Sequence, residues 1–138
     1  MDFIELAGVQ PNPRLTLIQA GIELCRKHQI QFILAVGGGS VIDSAKGIAV
    51  GVPYDGDVWD FYMRKATSKE ALPVGVVLTI PAAGSETSPV SVVTNDEGAL
   101  KRSIGTSLIR PRFAILNPEL TYTLPAYQTA CGVVDIMS

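Results

Sequence analysis

The chain has 138 residues, 47% of them hydrophobic and 17% charged, with a formal net charge of −2. That is enough chain to bury one core, and so weak a charge gives no electrostatic reason to expect nucleic acid or an anionic membrane surface as a partner. No apolar run reaches the roughly 18 residues of a membrane span, and MDFIELAGVQPNP has neither a basic n-region nor an apolar h-region, so no secretory leader is expected.

In chain order, PNP at 11–13 closes off what precedes it and opens a helix, with Asn12 as cap and Pro13 in the first turn. Leu15, Ile18, Ile22 and Cys25 follow at spacings of three, four and three, an amphipathic helical stripe. Arg26, Lys27 and His28 end it, where positive charge complements the helix dipole. FILAV (32–36) is an unbroken apolar run and reads as a buried strand. After three glycines, SVIDSAKGIAV returns to helical spacing through Ile42, Ala45 and Ala49. Residues 51–72 read as irregular, with Trp59, Phe61 and Tyr62 anchoring a loop or short helix. PVGVVLTI (73–80) is a second buried strand, and PAAGSETSP a loop of small and hydroxylated residues. Shorter strands follow at 90–94, 102–105 and 112–116, the first two joined by the hairpin chemistry of NDEG. A last helix starts near Pro125. Strands and helices alternating in this way predict an α/β domain with a parallel sheet. Cys25 and Cys131 form no CxxC pair and read as reduced, structural thiols of a cytoplasmic protein.

Three stretches carry possible chemistry. GGGS between a strand and a helix suits an anion, because glycines let backbone N–H groups approach a phosphate and the helix dipole favours negative charge there. A plain tight turn fits it equally well, and both GxxxxGK[ST] and GxGxxG are absent. Asp43 by itself fits a solvated first-turn carboxylate, and Lys46 a surface cation. LTIPAAGSETSP is a second loop rich in hydrogen-bonding groups, or simply a sharp turn capped by Ser85 and Glu86. Asp135 stands among Val133, Val134, Ile136 and Met137. A carboxylate there is expensive to bury unless it is paired or bound to a metal, and otherwise lies on the wet face.

Taken together, LAVGGGSVIDSAKGIA, LTIPAAGSETS, RPRFAILNPELTYTLP and TACGVVDIMS resemble the iron-containing (group III) alcohol dehydrogenase family. The likeness is to its branch of NAD(P)-dependent butanol dehydrogenases and broad aldehyde reductases. The resemblance implies a Rossmann-like dinucleotide-binding domain of the dehydroquinate synthase-like superfold, truncated at both ends. Residues 1–124 would be a partial α/β domain and 125–138 the start of an all-helical metal-binding domain. It implies NAD or NADP as cofactor, Fe²⁺ or Zn²⁺ in the whole enzyme, and a small alcohol or aldehyde as substrate. It also implies a homo-oligomer, since family members are often dimeric.

By position, the resemblance puts Gly38, Gly39 and Ser40 at the cofactor pyrophosphate and Asp43 close to the cofactor and substrate cleft. Thr79 falls near the adenine or ribose portion, Ser88 in the second cofactor loop, Lys101 at a ribose, and Leu120 packing near the cofactor. Asp135 matches the carboxylate ligand of the catalytic metal. At Ala83 many relatives carry threonine. The chain is far shorter than members of the family, and it stops at Ser138, one residue before a histidine ligand is due. His28 matches no ligand and reads as a solvated helix-terminal residue. The expected function is therefore a part of a metal-dependent alcohol dehydrogenase or aldehyde reductase that has no turnover by itself. The alternatives are a non-catalytic nucleotide- or phosphate-binding or assembly module, or a glycerol dehydrogenase-like relative.

Overall fold

A computed structural model describes residues 3–137. The stripe at Leu15, Ile18 and Ile22 forms the buried face of helix α1 (Leu15–Lys27), and its last turn carries Arg26 and Lys27. His28 caps that end and is exposed, as expected. The other end differs from expectation. Arg14, not Asn12, occupies the N-cap position, and no side chain caps the helix there. Asn12 has φ 61° and its Oδ1 accepts a hydrogen bond from Lys101 Nζ at 2.9 Å. A partner distant in sequence has taken the carboxamide that a local cap would use.

Strand β1 (Ile33–Gly37) leads through the glycines into helix α2 (Gly39–Gly51), and a single turn of helix, α3 (Trp59–Tyr62), follows. Strands β2 (Val74–Leu78), β3 (Val90–Asn95), β4 (Leu100–Gly105) and β5 (Phe113–Ile115) complete the β structure, and helix α4 (Ala126–Met137) ends the described chain. β1, β2 and β5 form a parallel sheet in the order β1-β2-β5, with Ala35 opposite Val76 and Val76 opposite Ala114. β3 and β4 form a separate antiparallel hairpin.

Helix α2 lies between two apolar clusters. On one side Ile42, Ala45 and Ala49 pack on Ala35, Val74, Val76 and Leu78 of the sheet. On the other, Ile48 and Val50 join Leu15, Ile18 and Ile22 of α1 with Phe61, Tyr62 and Val93. Every residue from Ser44 to Gly51 is buried, so this helix is enclosed on all sides instead of resting on one apolar stripe. Its glycines let α1 approach closely. A β-carbon on Gly47 would lie 2.8 Å from Ile18 Cδ1, and one on Gly51 or Gly21 would collide with Ile22 or Ile48.

One expectation about burial needs correction. FILAV is covered on one face only: Ala35 is 2% exposed, but Leu34 and Val36 are 51% and 56% exposed. With Phe32, Phe113 and Ile115 they make an apolar sheet face that no element among the described residues covers. Of the two readings of Asp135, the wet-face one holds, because α4 is exposed along its length apart from Gly132. Cys25 is half-buried and Cys131 exposed, and both are free thiols. Among the described residues no helix is long and apolar enough to cross a membrane.

Candidate functional site

The C-terminal ends of β1 and β2 lie side by side, tied by the Thr79 N–H donating to Gly37 O at 3.1 Å. None of Gly37, Gly38 or Gly39 has a positive φ, so this turn does not need glycine for a left-handed backbone. Space is the reason instead. A β-carbon on Gly38 would collide with Ile80 Cγ2, whereas one on Gly39 would meet nothing within 4 Å. The first glycine admits the second loop; the second faces open space at the head of α2. Gly38 O accepts from Val41 N at 3.0 Å and Ile42 N at 3.1 Å, which starts the helix. The first N–H groups of a helix have no partner inside it, and the dipole makes this end attractive to an anion.

Loop 81–89 is fastened beside this turn by Asp43 and Lys46, one helical turn apart on α2. Asp43 Oδ1 accepts from Ser85 Oγ at 2.6 Å, and Oδ2 from the Val92 N–H at 3.0 Å. Its carbonyl accepts from Ser91 Oγ at 2.9 Å. Asp43 is thus neither solvated nor idle. Lys46 is fully buried, contrary to a surface reading. Its Nζ donates to Ser85 O at 2.7 Å, Ser85 Oγ at 2.9 Å and Val90 O at 2.8 Å, and lies 3.9 Å from Asp43 Oδ1. Burial pulls its pKa from 10.5 down to about 8, against the opposing pull of Asp43 and Glu86. Beneath this network Tyr62 Oη and Ser91 Oγ share a buried hydrogen bond of 2.9 Å, and burial raises the Tyr62 phenol.

Gly38, Gly39, Ser40, Asp43 and Thr79 therefore come together around two adjoining strand ends. Ser88 stands at the exit of the loop, where its Oγ accepts from the Val90 N–H at 3.1 Å. Lys101, Leu120 and Asp135 lie on three other elements: hairpin strand β4, the short turn of helix at Pro118–Thr121, and α4. Local sequence pattern does not mark Lys46, Ser85 and Ser91 as site residues, although the DxxK spacing puts Lys46 one turn beyond Asp43. A cavity of about 80 Å³ lies between Pro81, Leu124 and Gly132. A larger one of about 320 Å³, lined by Gly8, Arg14 and Leu17 among others, includes none of the glycine-turn residues. Among the described residues no three His, Cys, Asp or Glu side chains gather to hold a metal ion.

The sequence model of iron-containing alcohol dehydrogenases matches residues 1–118. The chain belongs to the iron-containing alcohol dehydrogenase family. Among this family's members, a probable NADH-dependent butanol dehydrogenase 2 of Bacillus subtilis is 57% identical over 134 residues, 97% of this chain and 34% of its own length. The crystal structure of NADH-dependent butanol dehydrogenase A from Thermotoga maritima superposes with a TM-score of 0.93 at 40% identity, covering 96% of this chain and 33% of that one. A sulfoacetaldehyde reductase from Bifidobacterium kashiwanohense, solved in complex with NAD⁺, gives 0.91 at 34% identity, over 96% of this chain and 36% of that one. The chain spans about a third of the length of these relatives. Its parallel sheet with α2 on one face is the corresponding third of the family's α/β architecture.

Proposed function

We propose that the chain supplies nucleotide-binding elements of a metal-dependent alcohol dehydrogenase or aldehyde reductase, which transfers hydride between NAD(P) and a primary alcohol or aldehyde. The observation that carries this reading is the contrast at the head of α2, where Gly38 is closed by Ile80 and Gly39 is open. Backbone without side chains, at a helix N-terminus beside the ends of parallel strands, suits a pyrophosphate. In this reading Gly38, Gly39 and Ser40 hold the pyrophosphate. Asp43, Thr79 and Ser88 border the nucleotide, Lys101 bonds a ribose, and Leu120 packs near the cofactor. The nicotinamide, when bound, supplies the hydride chemistry, and the chain's own part is to bind and orient it. The NADH dependence named for two of the relatives and the NAD⁺ complex of the third support this assignment.

Asp135 is assigned as one carboxylate donor toward Fe²⁺ or Zn²⁺. Such sites need three or four donors, and the described residues gather no such group. No step is therefore assigned to a metal held by these residues. The division into 1–124 and 125–138, a cytoplasmic location and a homo-oligomeric state belong to the same proposal.

Titration with NADH tests it. Saturable binding weaker than about 1 mM is expected of the isolated chain, and Gly39→Val should abolish it while leaving the melting temperature nearly unchanged. No saturation by the parent chain, or undiminished binding by the variant, would refute the reading. The chain alone should not reduce butanal with NADH in the presence of Fe²⁺ or Zn²⁺.

A further inference from the structure

We propose that Lys46 is a positioning residue whose buried ammonium clamps loop 81–89 onto α2 and so holds one wall of the cleft that the glycine turn opens. This rests on the nucleotide reading above. An ammonium has three N–H donors and no acceptor. All three have partners here, at Ser85 O, Ser85 Oγ and Val90 O, each within 2.9 Å. Those acceptors belong to the middle of the loop and to the first residue of β3, so one cation fixes the loop at two points. Its entrance is already fixed to the glycine turn by Thr79 N–H and by the packing of Ile80 on Gly38.

Ser85 Oγ relays the clamp. It accepts from Lys46 and donates to Asp43 Oδ1, whose other oxygen holds the Val92 N–H. Loop, carboxylate and hairpin strand are thus set from a single buried charge. Packing alone does not account for a lysine here. The side chain is fully buried, and an apolar side chain of similar volume would fill the space without the desolvation penalty of an ion.

Lys46→Met keeps the length and removes the donors, and Ser85→Ala removes the relay without altering α2. In each variant, amide hydrogen exchange at Ser88 and Val92 should quicken about tenfold, the equilibrium effect of one charge-assisted hydrogen bond. Any change at Val76 and Ala114, in the sheet, should be smaller than at the loop amides, whereas a general loss of stability would shift all of them alike. NADH affinity, followed through the amide signals of Gly39 and Ser40, should fall about tenfold in parallel. If Lys46→Met does not fold, Ser85→Ala carries both readouts. Unchanged loop exchange overturns the clamp, and faster exchange with unaltered NADH affinity overturns the positioning role. If neither parent nor variant responds to NADH, the nucleotide reading fails, and the exchange rates still decide whether Lys46 holds the loop.

Discussion

Adjacent glycines with opposite surroundings show how much a single residue can decide at this turn. Valine at Gly38 must displace Ile80, whereas valine at Gly39 enters empty space, so the first change disturbs the fold and the second only what approaches it. Lys46 yields a pH prediction at the same scale. Its native pKa of about 8 lies below the lysine value of 10.5. The unfolded chain therefore binds more protons than the native one across that window, and stability on this account rises with pH there. Below about 8 both states hold the proton and the penalty of the buried charge is fully present. Thermal melts at successive pH values should show the parent gaining stability relative to Lys46→Met between about pH 8 and about 10. A constant difference across that range would refute the assignment.

Among the elements, α1 and α2 make the contact most sensitive to substitution. Leucine at Gly21 or Gly51 would drive into Ile48 or Ile22, and overpacking of this kind costs about 1–3 kcal/mol. Urea midpoints should fall accordingly for both variants, with Gly39→Leu as a control that moves little. Equal midpoints for all three would show that the helices separate freely. These elements were legible in the sequence because period and glycine punctuation are local signals. α2 was expected from Ile42, Ala45 and Ala49, and the sheet strands from two apolar runs. What was not legible depends on distant partners. Asn12 has a good capping side chain, but Lys101 holds it from across 89 positions. Lys46 has the spacing of a surface cation until loop 81–89 closes over it. No local pattern encodes either outcome.

On the scale of the whole molecule, the uncovered face of the parallel sheet dominates. Phe32 and Phe113 stack with centroids 5.9 Å apart, above Gly75, where a β-carbon would meet both rings. Leu34, Val36 and Ile115 extend the patch, each at least half exposed. An apolar face of this kind on an isolated chain promotes association. Sedimentation velocity should show species larger than monomer that grow with concentration, and Leu34→Lys should reduce them. A monomer at every concentration would contradict this. The face also explains why FILAV reads as interior: composition records that a strand is apolar on both sides, but not what covers the second side.

Helix α2 is the shared wall of both apolar clusters, and this has a consequence for how the chain comes apart. Neither cluster can lose α2 and remain closed, so the two cannot melt in sequence as independent units. Heat or denaturant should therefore take the sheet and the α1 side through one cooperative transition. Whatever grips the head of that helix then steadies hydrophobic contacts on both of its flanks at once.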